Sequence, residues 1–487
     1  MADDLLARLD SAVATDHPSR QPLRETVPAS SAHPDATAAD APSHRERWPW
    51  LAIFLGVQFL WGALLFVPGS QEYRPIVRAL PYASAVALLA VYGTRTVRAR
   101  GPGGTLLLVL ALALLGINLL HPTSQLQAGL GQLAFQMTIA APMFWAWKGV
   151  SRPSQLRRLL WLCLIFNAAG ALLGVLQVYD PERFMPPQFS TLGLRLNELY
   201  VESLTYVGRD GTRIVRPPGL SDQPGGAAAS GALAVVLGGG LSLGAANPRA
   251  LVVTVAAMGV GLAAIYLTQV RSLLLMALAA LAVVAVVLFR RGQLKTAAGL
   301  AVTATLLAAG AFFWARSLVG DAVEERFATI TEEGALQAYR ENRGGFVAHT
   351  FGELLDRYPF GAGVGRWGMM QVYFGDPTNL EAQPIYVEIQ ITGWLLDGGV
   401  PMWILYGGAI LFAMIGAYRH ARQRRSQELA RVALIVLAVQ VLIVGFSWAG
   451  PAFNTQLGLF FWFLSSALHG AASSREPTPP AAGRTSP

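Results

Sequence analysis

Residues 250–289 read ALVVTVAAMGVGLAAIYLTQVRSLLLMALAALAVVAVVLF, and Arg271 is the one charge in the stretch. Two apolar runs flank the short polar turn Thr268-Gln269-Val270-Arg271-Ser272. A helix needs about 20 apolar residues to cross about 30 Å of hydrocarbon, where no backbone group can go unpaired. The stretch therefore reads as two membrane helices joined by a tight turn. Working outward, about twelve such runs appear, approximately at 48–68, 75–93, 104–121, 129–147, 158–178, 226–245, 250–270, 272–289, 296–316, 399–418, 430–449 and 453–470.

Composition agrees with this reading. The chain of 487 residues is 53% hydrophobic before glycine is counted and 14% charged. Soluble domains run at about 45–50% apolar with glycine included and about 25% charged. An ordinary soluble enzyme, a disulfide-stapled secreted domain and a disordered protein are excluded. The single cysteine, Cys163, lies in an apolar run and carries no redox or metal signal. The formal charge of +8 does not indicate nucleic acid, because the cations punctuate apolar segments instead of forming a patch.

The placement of those cations predicts orientation. One set of alternate short loops holds Arg95, Arg98 and Arg100, then Lys148, Arg152, Arg157 and Arg158, then Arg249, then Arg290, Arg291 and Lys295, and finally Arg419, Arg422, Arg424 and Arg425. The opposite short loops hold little beyond Arg74 and Arg271. Both termini are therefore expected in the cytoplasm. Residues 1–47 read as a disordered cytoplasmic tail, 48–470 as the membrane domain and 471–487 as a second cytoplasmic tail. No short apolar segment with a small-residue cleavage site marks a signal peptide.

Two loops on the opposite side are long, 179–225 and 317–398. The first carries Phe184, Phe189, Tyr200 and Tyr206; the second carries Phe346, Phe351, Phe360, Trp367, Tyr373, Phe374 and Trp394. That aromatic density predicts ordered surfaces lying on the membrane face. Within the second loop, helical spacing predicts a helix over 337–357, ended by Tyr358-Pro359. A glycine-rich turn follows at Gly361, Gly363 and Gly365, then an amphipathic helix over 385–398. The three glycines lack the strand and helix of a dinucleotide site, so they read as a turn.

Arginines near this face are candidate ligands for an anion. Arg271 opposes the positive-inside pattern and has Gln269 beside it, although snorkelling to the interface also explains it. Arg216 opens Arg216-Pro217-Pro218-Gly219 on a rigid arm, and Arg343 stands in Glu341-Asn342-Arg343-Gly344. Each also reads as a solvated loop arginine. Converging on one cavity, they would make a diphosphate site, since guanidinium forks match phosphate oxygens.

The layout resembles the O-antigen ligase and O-antigen/exopolysaccharide polymerase superfamily of bacterial envelopes. The likeness rests on the number of spans, the large late loop, the 268–272 arginine turn, Arg216-Pro217-Pro218-Gly219, and Arg343 followed by Tyr358-Pro359-Phe360-Gly361-x-Gly363-x-Gly365. It implies an all-α polytopic glycosyltransferase, independent of metal and cofactor, acting at the periplasmic face of the inner membrane. The implied donor is a glycan on undecaprenyl diphosphate. A chain-length regulator and a flippase in the same membrane are the implied protein partners.

One departure bears on function. Ligases of this superfamily carry a histidine about nine residues before an acidic-x-Gly element, here Asp397-Gly398-Gly399. Counting back reaches Glu388, and none of the seven histidines lies there; His349 falls earlier in the loop. Glu388 is thus the candidate base, with Tyr386 and Gln390 beside it, and the reading moves toward a polymerase. A ligase transferring glycan to lipid A-core, or a transporter of lipid-linked sugar, remain the alternatives.

Overall fold

The computed structural model describes residues 48–67, 69–93, 101–186, 205–207, 211, 213–245, 247–332, 334–423 and 426–473. The expected tail at 1–47, most of the tail at 471–487, Phe189 and Tyr200 lie outside the described residues. So do Arg95, Arg98, Arg100, Arg424 and Arg425.

The described residues are all-α with almost no sheet. Its long helices are α1 (Trp48–Leu60), α2 (Arg74–Gly93), α3 (Thr105–Ile117), α4 (Leu126–Gly149), α5 (Pro153–Tyr179), α6 (Gly226–Ser242), α7 (Pro248–Thr268), α8 (Arg271–Arg290) and α9 (Leu294–Val319). After the second long connection come α10 (Gln390–Ala421), α11 (Gln427–Phe446) and α12 (Gln456–Ser473). Among the described residues, eight helical segments are long and apolar enough to cross a membrane: Pro49–Phe66, Arg74–Gly93, Pro153–Tyr179, Pro248–Thr268, Arg271–Arg290, Leu294–Val319, Gln390–Ala421 and Gln427–Phe446. Thr105–Leu120 and Gly226–Ser242 are apolar but shorter. The other two, α4 and α12, pack on each other and keep polar groups inside the bundle, among them Gln132, Gln136 and Ser466.

Local signals explain several boundaries. Asn247 caps α7, its Oδ1 accepting from Ala250 N at 2.8 Å with Pro248 in the first turn. Ser426 caps α11 in the same way. Between α7 and α8 the chain turns through Gln269 in the left-handed region (φ 58°), the one non-glycine residue with positive φ among those described. The tight junction expected at 268–272 is therefore present, with the helices ending at Thr268 and restarting at Arg271.

The two long connections gather at one end of the bundle, where Asn118 meets Asp397, Arg271 meets Arg326 and Tyr339 meets Trp448. Basic groups from the short connections gather at the other end, where Arg157 pairs with Glu428 at 3.2 Å and Lys148 donates to Gly93 O.

The expected helix over 337–357 exists, as part of a rod over 335–357. Two wide π turns interrupt it, at Arg340–Gly344 and Thr350–Leu354. The rod is anchored on α10 by Thr350 Oγ1, 2.6 Å from Thr392 Oγ1, and by the ring of Phe351 on Trp403.

Two expectations need correction. The helix predicted over 385–398 begins only at Gln390, and Ile389 before it is extended (φ −119°, ψ 146°). Ile385, Val387 and Ile389 are β-branched at alternate positions, which favours an extended run over a helical turn. The loop at 179–225 also contains a small antiparallel hairpin, Thr205–Val207 on Arg213–Val215.

Gly399 sets the angle between the first turns of α10 and the rest of it. Its φ of 65° breaks the helix, and Val400 N donates to Pro359 O at 2.9 Å instead of to its own helix. A Cβ there would collide with the Pro359 carbonyl. Gly399→Ala should cost about 1–2 kcal/mol from the left-handed backbone alone, and the collision adds to that. A thermal melt of the purified protein in detergent checks it; an unchanged midpoint would contradict the kink's dependence on glycine.

Candidate active site

Four arginines from four separate segments share one electrostatic neighbourhood. Arg271 is the first residue of α8, placed by the Gln269 turn. Arg216 follows the hairpin, whose register pairs Tyr206 with Ile214 and so brings the Tyr206 ring near Arg216. Arg326 lies on the helix Asp321–Glu332, which docks through Phe327 on Tyr266 of α7, ring centroids 4.9 Å apart. Arg343 sits in the π turn at Arg340–Gly344. Such wide turns are rare and occur often at functional sites.

The electrostatics are those of cations held together against their repulsion. Burial first, then the guanidinium groups of Arg271, Arg216 and Arg343, push Arg326 down to about 10. Arg216 is likewise lowered, by burial and by Arg271, with Tyr206 opposing. The Nε of Arg216 is buried and has no hydrogen-bond partner among the described residues. Arg271 Nη1 reaches the carbonyl oxygen of Arg326 at 3.5 Å. Like charges gathered and partly buried make a site for a polyanion, whose oxygens would relieve the repulsion.

A carboxylate joins this group. Glu388 Oε1 is 2.6 Å from Arg343 Nη2, and Tyr386 donates its hydroxyl to Glu388 Oε2. The extended run before α10 turns residues two apart to the same side, so Tyr386 and Glu388 work as a pair. The Tyr386 phenol is raised, first by that hydrogen bond to Glu388 and then by burial, so it stays protonated as the donor. Phe346 of the rod packs on the Tyr386 ring at 5.9 Å, linking the carboxylate's segment to the helix that carries Arg343.

Arg216, Arg271, Arg343, Glu388 and Tyr386 thus come together. Gln269 is buried beside Arg271 with its Nε2 lacking a partner among the described residues. Gln390 does not belong to the site. It is fully buried, its N donates to Ser447 O at 3.0 Å, and its Oε1 accepts from Phe453 N at 2.9 Å, which ties α10 to the segment after α11. His349 is also apart: it is half exposed and pairs with Glu353 one turn along the rod at 3.2 Å.

The glycine-rich stretch proves to be a clamp. Gly361, Gly363 and Gly365 all have positive φ (108°, 87° and 83°), and the turn they make lies against residues 118–129. Gln125 N donates to Val364 O, Thr123 Oγ1 to Ala362 O, and Ala362 N to Leu396 O. Asp397 is buried below it, its Oδ1 accepting from Trp367 Nε1 at 2.8 Å. The Asp397-Gly398-Gly399 element therefore packs against this turn.

Sequence reading missed Arg326. Its setting, Glu324-Glu325-Arg326-Phe327, looks like one face of a solvated helix, and only the docking of Phe327 turns it inward. Tyr206 stands in the sequence as one aromatic of the first long loop, ten residues from Arg216, and only the hairpin register brings the two together. No known protein-family model matches the chain, and no curated protein sequence matches it.

Proposed function

We propose that this protein is a polysaccharide polymerase that joins undecaprenyl-diphosphate-linked repeat units at the periplasmic face of the bacterial inner membrane. One observation carries the reading: the guanidinium groups of Arg216, Arg271 and Arg343 all act on Arg326, and Arg343 pairs with Glu388, at the end of the bundle remote from the basic short connections.

On this reading the donor's diphosphate lies among the guanidinium groups. The acceptor sugar's hydroxyl oxygen attacks the anomeric carbon of the donor glycan. The bond from that carbon to the diphosphate oxygen breaks, and undecaprenyl diphosphate leaves with the electron pair. Charge grows on the leaving oxygen, where prearranged arginines stabilise it most. Glu388 takes the hydroxyl proton. Both of its oxygens are engaged in the free protein, by Arg343 and by Tyr386. A diphosphate that draws Arg343 to itself would free Oε1 for the acceptor, so the base becomes available only after the donor is bound.

A ligase would place a histidine where Glu388 stands, and His349 is occupied elsewhere with Glu353. The decisive experiment deletes the gene and identifies the lipid-linked sugar that accumulates. Single repeat units on undecaprenyl diphosphate are expected; long unligated chains would replace the polymerase reading with the ligase one.

A further inference from the structure

A cavity of about 360 Å³ opens beside the arginine site, between α1, α2, α6, α8 and α12. Its lining adjoins residues of that site, and Gly225 on the wall donates its N to Arg216 O at 3.2 Å. Val270 lines it and precedes Arg271, and residues 220–226 line it in the loop that begins at Arg216. This loop is non-helical backbone packed inside the bundle, where Gln177 clamps it: Gly219 N donates to Gln177 Oε1 at 2.8 Å, and Gln177 Nε2 donates to Gly219 O at 3.1 Å. Irregular backbone at that depth persists where protein or a polar cavity satisfies it.

The walls carry a distinct set of groups. Gln58 is 2% exposed and gives its Nε2 to Pro81 O at 2.8 Å and to Ser84 Oγ at 3.1 Å. Its Oε1, equally buried, has no hydrogen-bond partner among the described residues. Leaving a buried acceptor bare is costly, so this oxygen calls for a donor from a guest. Asp222 offers a second acceptor, held by Arg74 Nε at 3.3 Å and by Arg78. Arg78 supplies donors from the same wall, with one nitrogen on Tyr373 Oη at 2.7 Å. Trp61 contributes an aromatic ring.

Hydroxyl groups both donate and accept, and the C–H face of a sugar ring suits an indole. Neither a diphosphate nor a polyprenyl tail has a donor for Gln58 Oε1. We infer that this cavity is a sugar-binding site which, resting on the polymerase reading, holds the terminal sugar of the acceptor glycan while the donor's diphosphate occupies the arginines.

A single thiol on the wall tests this. The one native cysteine, Cys163, is fully buried, so Ser230→Cys, on the cavity lining, adds the reactive group. In detergent-purified protein a small methanethiosulfonate reagent should modify it. Lipid-linked oligosaccharide extracted from the gene-deletion strain should slow that modification at least fivefold. Undecaprenyl diphosphate without sugar should not, although its retention by the same preparation is measured with radiolabel. In the second variant, Gln58→Leu, the oligosaccharide's protection should be lost while retention of undecaprenyl diphosphate persists. Equal protection by both lipids places the lipid in the cavity and overturns the inference. So does a thiol that never reacts, protection by neither lipid while undecaprenyl diphosphate is retained, or full protection in Gln58→Leu. Failure of the unsubstituted protein to retain undecaprenyl diphosphate would instead remove the polymerase reading, and the acceptor role with it.

Discussion

Arg326→Ala should reduce polymer formation by about 100-fold or more, the scale on which removing one preorganised donor to a developing anion acts. Arg271→Ala should do the same. A purely structural arginine would lower stability when removed. Arg326 is pushed down to about 10 by burial and by three neighbouring guanidinium groups, so taking away its charge relieves repulsion. The melting temperature of Arg326→Ala should therefore hold or rise while activity is lost, the trade-off expected of a site strained for function. Arg326→Lys should recover only part of the activity, because an ammonium keeps the charge but not the fork. Combining Arg326→Ala with Arg271→Ala should add little to either, since residues that grip one group act as a unit. A polymer assay on membranes of equal protein content, paired with a thermal melt, reads all of these. Wild-type polymer from Arg326→Ala would take the residue out of the site.

Glu388→Gln should lower turnover by about 100-fold to 10,000-fold, the span attributed to a positioned base. The amide keeps the size of the side chain and retains an oxygen to accept from Tyr386, so its loss isolates proton transfer. The rival role is electrostatic: Glu388 pairs with Arg343 at 2.6 Å and would then only poise that arginine. The two roles separate in steady-state kinetics. A base affects kcat with donor KM nearly unchanged, whereas a counter-ion affects donor KM. Tyr386→Phe removes the hydrogen bond to Glu388 Oε2 but leaves the carboxylate, so about a tenfold or smaller effect on kcat is expected, in line with the modest net worth of one hydrogen bond to a charged group. Full turnover in Glu388→Gln would leave the proton without this acceptor.

The helices could be read directly. In hydrocarbon a backbone can satisfy its polar groups only within its own segment or a closed barrel, so long apolar runs leave a helix as the solution wherever they lie in the chain. The runs ending at Thr268 and restarting at Arg271 show this, and the polar turn between them marked its own position. The glycines at 361, 363 and 365 were legible as a turn for a similar local reason, the positive φ that glycine tolerates. The spacing from Asp397 points to Glu388, yet no helix lies there: alternating β-branched residues outweigh an apolar pattern that fits either period.

The site itself belonged to the tertiary structure. Arg216, Arg271, Arg326 and Arg343 lie far apart along the chain, and each alone looks like an ordinary loop or helix-end cation. What brings Arg326 among the others is Phe327 on Tyr266, and what brings Glu388 to Arg343 is Phe346 on Tyr386. Such contacts between distant segments leave no periodic trace in the sequence, because packing acts on shape and volume across the fold, whereas helix formation acts on neighbours a few residues away.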